Sequence, residues 1–374
     1  VQMDNGSPLS GVNLSDELWG STVATTTSDS DGDFSQTPLD LGWHSLTYSK
    51  SGYFDTNMEG LLETDGQTLI VDSVRLLPDN CTPGTMSGKI TNAVTGDNMS
   101  GVYMWSANGL DKKWRGHNRG YSFFSYIGNG AWSLFKNAGW YTILSYKSGY
   151  YYAYQNVFAC GNQPDQNNSM SEILNPGEMR IMLKWPKTDP VTAEDLDSHL
   201  YIPIIDIDSS RGGDCDGDAN KDDKCHLYYN TNQDAPASYN GVITYDYLIY
   251  GTGDNVTIDK DATSSPGDET ITISKVRSGT YSFSVHNASD KSASSSDNLS
   301  KSRAKVKVFY CPLGTDCNCN ACPAAGNLVK KKFHVPNDNG TLWRVFTFNS
   351  SDSGGSGFTR VRKIIYESSR ANIY

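Results

Sequence analysis

"LGWHSLTYSKSGYF", residues 41–54, and "NAGWYTILSYKSGYYY", residues 137–152, are two versions of one strand and turn. Trp43 recurs as Trp140, Lys50 as Lys147, Gly52 as Gly149 and Tyr53 as Tyr150, each 97 positions further on. Alternate residues such as Tyr141, Ile143 and Ser145 share one side of an extended strand. Gly149 then sits where the turn asks for a backbone conformation that a side chain resists. The match runs on in both directions. "GSPLSGVNL" from Gly6 parallels "GDNMSGVYM" from Gly96, and "DGDFSQTPLDLGW" parallels "GNGAWSLFKNAGW". Each copy closes on a further strand, "LIVDSVRLLP" or "GEMRIMLKW". The pattern predicts one β-rich unit used twice.

The rest of the chain agrees with an all-β reading. Its 374 residues set a length for two or three domains, and 35 glycines, 14 prolines and 22 tyrosines describe a turn-rich chain with aromatic cores. Short Val/Ile/Thr/Tyr/Phe runs between Gly, Asn, Asp and Ser clusters dominate, and long Ala/Leu/Glu/Lys runs at helical spacing are missing. We expect three consecutive antiparallel β-sandwich domains, over residues 1–82, 83–177 and 178–374. The first two are transthyretin- or Ig-like, and the third is a larger sandwich with disulfide-closed insertions.

Thr95-Gly96 through Met99-Ser100-Gly101-Val102, and Gly139-Trp140-Tyr141 through Lys147-Ser148-Gly149-Tyr150, resemble the carboxypeptidase-regulatory-like (transthyretin-like) β-sandwich. Gly6 through Val12 and Gly42 through Tyr53 carry the same resemblance in the first copy. It implies spacer or accessory modules, with catalysis elsewhere in the polypeptide. From about Arg180 the order of "LKW", "DLDSHL", "CHLYYN", "ETITI" and "GTYSFSVH" is similar to an uncharacterised family of extracellular β-sandwich domains that follow such repeats. That resemblance implies a fold and no activity. The stretches "DIDSSRGGDCDGDANKDDK" and "CPLGTDCNCNACPAAG" depart from it.

The charge balance is 31 Lys+Arg against 42 Asp+Glu, a net −11, with the bases scattered apart from Lys330, Lys331 and Lys332. A nucleic-acid partner wants a basic stripe and is disfavoured. No apolar run approaches the ~20 residues of a membrane-spanning helix. The sequence begins at Val1 without a Met and reads as a processed or partial product. Sequons occur at Asn5, Asn13, Asn80, Asn98, Asn167, Asn255, Asn287, Asn298, Asn339 and Asn349, about twice what chance pairing gives. With an even number of cysteines they point to an oxidising, extracellular compartment and covalent glycans. Cys81 and Cys160 bracket the second copy and would join its ends. Cys215 and Cys225 would close an acidic loop. Cys311, Cys317, Cys319 and Cys322 fit two disulfides stapling a hairpin loop better than a zinc knuckle, which is usually built from two separated C-x2-C pairs.

Two places offer metal ligands. Asp214, Asp216, Asp218, Asn220 and Asp222 alternate oxygen donors as a hard cation such as calcium needs. Ala219 and Cys225 stand where an EF-hand wants Gly and Glu, so the alternatives are another kind of calcium loop or a solvated acidic loop. "DLDSHL" sets Asp195, Asp197 and His199 on one face of a strand, with His226 expected from a neighbouring strand. That group either holds a transition metal or forms a buried hydrogen-bond cluster.

Hydrolase constellations fail for lack of parts. "SDSGGSG" near Ser353 has no histidine in a matching upstream context, and neither G-x-S-x-G nor H-E-x-x-H is present. Trp105, Trp114, Trp132 and Trp140 are candidates for a sugar-stacking face, although alternating tryptophans more often fill a core. Aligned on the second copy, the first has no counterpart of "TMSGKI", residues 85–90. A sandwich without that strand exposes unpaired backbone. The expectation is therefore a non-enzymatic, extracellular structural glycoprotein that self-assembles head to tail by strand complementation, with "RVRKIIYESSRANIY", residues 360–374, as a candidate donor. The competing expectation is a cell-surface adhesin or carbohydrate-binding protein.

Overall fold

A computed structural model of the chain describes residues 1, 7–37, 39–69, 71, 74–114, 120–186, 192–203, 224–229, 242–244, 255–318, 328–351, 357–369 and 373. It is all-β, and its strands fall into two compact units. The first holds residues 1–91 and 97–170, the second residues 92–96 and 171–374.

The first unit contains both copies of the repeat. β1 (Asn13–Leu18), β2 (Ser21–Thr27), β3 (Gly42–Ser49) and β4 (Thr56–Leu62) form one sheet in the order β2-β1-β3-β4. The second copy supplies β5 (Gly84–Asn92), β6 (Val102–Asn108), β7 (Tyr121–Ile127), β8 (Ala131–Lys136), β9 (Gly139–Tyr146), β10 (Ala153–Ala159) and β11 (Asn168–Met170). These make two sheets, β10-β9-β6-β7 and β11-β5-β8. The order β2-β1-β3-β4 repeats as β7-β6-β9-β10, so the duplicated sequence is a duplicated sheet. In both, the alternation does the folding. His44, Leu46 and Tyr48 of β3 turn inward, as do Tyr141, Ile143 and Ser145 of β9. Gly52 and Gly149 turn the chain at φ +86° and +84°, which other residues rarely adopt.

The copies differ in their second layer. In the second copy Met86, Ile90, Met104, Trp132 and Ile143 fill a core between the two sheets. β5 is the central strand of the smaller sheet, flanked by β11 and β8. Among the described residues of the first copy no strand takes the β5 position, and residues 33–37, which align with β8, form no strand. Its core of Val12, Leu14, Leu46, Tyr48, Val74 and Leu76 is covered by irregular chain, Phe34 included. Val1 holds the place of Ile90. Its carbonyl accepts from Leu9 N–H as that of Ile90 accepts from Met99 N–H, and its amino group bonds the Gly32 carbonyl as Ile90 N–H bonds that of Gly130.

The second unit is the larger sandwich. β12 (Met179–Trp185), β13 (Leu196–Pro203), β14 (Lys224–Leu227), β15 (Val242–Thr244), β16 (Asn255–Lys260), β17 (Gly267–Ile273), β18 (Thr280–Asn287), β19 (Lys305–Tyr310), β20 (Val329–His334), β21 (Leu342–Asn349) and β22 (Phe358–Ile365) form sheets of order β15-β16-β17-β12-β19-β20 and β14-β13-β18-β21-β22. Leu183, Trp185, Leu200, Phe283, Val306 and Phe346 pack between them. Gly267 is required here, because a Cβ would stand 2.1 Å from the Trp185 ring.

One expectation is corrected. The supposed donor segment is not a free tail, since residues 360–365 lie in β22 and pair antiparallel with β21. Beyond it the Glu367 carbonyl accepts from Thr341 Oγ1 at 2.6 Å and Ile373 is buried. Its Ile364 is buried in the core of its own sandwich.

Candidate metal centre and an aromatic sheet face

β13 is bordered by β14 and β18, and period-2 alternation decides what each side of it carries. Leu196, Leu200 and Ile202 join the core. Asp197, His199 and Tyr201 are the intervening residues, and all three are buried. The antiparallel register sets His286 of β18 opposite Asp197 and His226 of β14 opposite Tyr201. Directly opposed residues point to the same side of a sheet, so three strands deliver imidazoles to one place. His199 stacks on Tyr228 with ring centroids 5.5 Å apart, and His226 on Tyr201 at 4.4 Å.

Asp197, His199 and His286 each offer a ligand atom within 4.8 Å of the other two. His199 Nδ1 and His226 Nε2 are 2.9 Å apart. His286 Nε2 lies 2.9 Å from the Glu367 carbonyl and donates to it, and His286 Nδ1 has no hydrogen-bond partner among the described residues. Burial holds both outer imidazoles neutral, lowering His286 and taking His226 down to about 3. Asp197 belongs to a second group with Asp261 and Glu269. Glu269 accepts from Ser198 N–H at 2.7 Å, and burial raises its carboxyl well above the usual range.

This arrangement changes the expected ligand set. Asp197 and His199 are together as anticipated, but His226 is the hydrogen-bond partner of His199, and His286 is the third member. Asp195 lies outside the cluster, its carbonyl accepting from Ala288 N–H. His286 stands 87 positions beyond His199, and only the β13–β18 ladder brings it in.

Other expected sites divide cleanly. The Asp214–Asp222 oxygen ligands, Cys215, the Cys225 side chain, Cys319 and Cys322 lie outside the described residues. Disulfides join Cys81 to Cys160 and Cys311 to Cys317. Among the sequons, Asn13, Asn80, Asn98 and Asn339 are exposed, while Asn167, Asn298 and Asn349 are half-buried. Asn5 and the Asn255 side chain lie outside the described residues. Asn287 is withdrawn as a glycan acceptor, because its side chain is 1% exposed and held by Ser289 Oγ at 2.8 Å.

The tryptophans also divide. Trp132 is core, and Trp140 donates its ring N–H to the Arg75 carbonyl at 2.7 Å. Trp105 and Trp114 belong to a different surface. The side of sheet β10-β9-β6-β7 opposite the core carries Tyr103, Trp105, Phe123, Tyr126, Tyr146 and Tyr154, their positions aligned across the strands by register. Trp105 meets Trp114 and Phe123 at 5.7 Å each, and Tyr103 meets Tyr126 at 4.7 Å. Lys113 Nζ lies 4.7 Å from the centre of the Tyr154 ring. Tyr103, Phe123 and Tyr126 are 44%, 56% and 58% exposed, an open aromatic face.

No protein-family model matches the chain, and no curated protein does. Solved structures similar to parts of it include the Bacillus anthracis TIE protein, 10% identical over 75% of this chain and 43% of that one, with a TM-score of 0.19. The shaft pilin SpaA from Lactobacillus rhamnosus GG is 14% identical over 45% of this chain and 87% of its own, with a TM-score of 0.17. A Bacteroides uniformis protein described as carbohydrate binding is 11% identical over 54% and 88%, with a TM-score of 0.18. The chain thus spans less than half the length of the TIE protein. At TM-scores this low, neither fold nor function is transferred from these proteins.

Proposed function

We propose that the chain is a non-enzymatic, extracellular structural protein whose copies join by β-strand addition into a fibre or surface layer. The two copies of the repeat, in this reading, are carboxypeptidase-regulatory-like modules serving as spacers. Glycans on the exposed sequons, and calcium on Asp214, Asp216, Asp218, Asn220 and Asp222, belong to this reading. One observation supports it: among the described residues, the four-stranded sheet of the first copy has no partner strand in the slot that β5 fills in the second. A strand entering that slot would replace irregular chain over the Leu14, Tyr48 and Leu76 core. The donor is a segment of a second copy. A head-to-tail interface between two different surfaces gives an open polymer wherever its rotation does not close into a ring.

Negative-stain imaging of the full chain across a range of concentrations tests the reading. Fibres are expected, and a synthetic peptide of residues 84–92, the strand that fills the slot in the second copy, should shorten them when added in excess. Single particles at every concentration, or a slot filled by residues of the same polypeptide, would overturn it.

The aromatic face favours a second reading, a carbohydrate-binding surface. Sugar C–H faces stack on aromatic rings while Tyr103, Tyr126 and Tyr154 offer hydroxyls to the sugar's own. Glycan-array screening should find a ligand whose binding falls at least about tenfold in Trp105→Ala or Phe123→Ala. Binding to no glycan, or binding indifferent to both changes, sinks it.

A further inference from the structure

We propose that Asp197, His199 and His286 hold a divalent transition ion of the zinc class inside the C-terminal sandwich, with His226 positioning His199. The proposal is independent of both readings above.

Two imidazoles and one carboxylate are a donor set that suits zinc, cobalt or iron(II), and one that calcium or magnesium would not select. Their ligand atoms already lie within 4.8 Å of one another. Closing to metal–ligand bonds of about 2.0–2.2 Å asks for side-chain adjustment, with the backbone fixed by ladders on both sides of β13.

The outer contacts are those a metal site needs. A ligating histidine hands its second ring N–H to an acceptor, which fixes the tautomer and aims the other nitrogen's lone pair. His286 does this through Nε2 to the Glu367 carbonyl, which leaves Nδ1 as the ligand atom, buried and without a partner among the described residues. His199 Nδ1 lies 2.9 Å from His226 Nε2, and the tautomer in which Nδ1–H donates leaves its own Nε2 for the ion. The Glu367 carbonyl is itself pinned by Thr341 Oγ1, whose own oxygen accepts from Glu367 N–H at 2.9 Å. That leaves the Nδ1 of a buried ring aimed into the cluster and available to an ion.

The test is binding of Co²⁺ and Zn²⁺ to the full chain after treatment with a chelator, followed by calorimetry and by the visible absorption of protein-bound Co²⁺. One ion per chain is expected, with a spectrum of four or five ligands. His286→Gln and Asp197→Asn should each weaken binding at least about 100-fold. His226→Gln should weaken it by about 10- to 100-fold and alter the Co²⁺ spectrum, as loss of an orienting contact does. Asp65→Asn, at an exposed carboxylate of the first copy, should change neither. If His286→Gln fails to fold, His226→Gln decides. Absence of stoichiometric binding at millimolar ion, or affinity unchanged in the folded variants, would overturn the assignment.

Discussion

Lys184 shows what a single residue costs this fold. It lies on β12 with its Nζ buried and without a hydrogen-bond partner among the described residues, and burial lowers its pKa from 10.5 to about 7 against the weaker opposing pull of Asp268. The unfolded chain therefore carries the extra proton between these two values, and stability rises with pH across that window. Below about pH 7 the ammonium must be buried charged or lose its proton, and the full penalty is felt. Lys184→Met should stabilise the chain by about 1 kcal/mol or more near neutral pH, with the gain fading towards about pH 10. Denaturant unfolding at several pH values checks this, and a gain that grows with pH would refute it. His44 and Tyr141 make a different point. They occupy matching positions in the twin stretches, and each tethers itself to the carbonyl four residues back, His44 to Asp40 at 2.8 Å and Tyr141 to Asn137 at 2.9 Å. His44 also pairs with buried Asp16 at 2.8 Å. The duplication has kept the tether and changed the chemistry.

At the scale of strands, alternation told which residues are extended and which way they face. Tyr141, Ile143 and Ser145, and the Asp197–His199 pair, lie as their spacing required. Alternation does not name a strand's neighbour. That β18 borders β13 is a property of sheet order, which is why His286 was out of reach while His226, in a nearer segment, was favoured. The same limit misled the reading of residues 360–374. "RVRKII" has the pattern of a strand, and nothing local distinguishes a strand pairing with β21 from one offered to another molecule. The aromatic face was half legible for a related reason. Trp105 and Trp132 both sit on strands with period-2 patterns, and only the second layer of the sandwich decides which of a strand's two faces is inside. The duplicated sheet, by contrast, was readable, because one copy serves as the template for the other.

The whole molecule places its cysteines unevenly. The four strands of the first copy hold none, while the Cys81–Cys160 bond gathers the chain just before β5 and just after β10, with Cα atoms 4.6 Å apart and a sequence separation of 79. A pull applied along the polypeptide would pass from Cys81 to Cys160 through that bond and bypass six strands. Under load the second copy would keep β5 to β10 folded within a closed ring while its unshackled twin gave way. In single-molecule stretching, reductant should add roughly 270 Å of releasable length per chain, from 79 residues at about 3.4 Å each. An extension identical with and without reductant would rule this out. The two copies would then be springs of unequal length, one that pays out its chain and one that is locked.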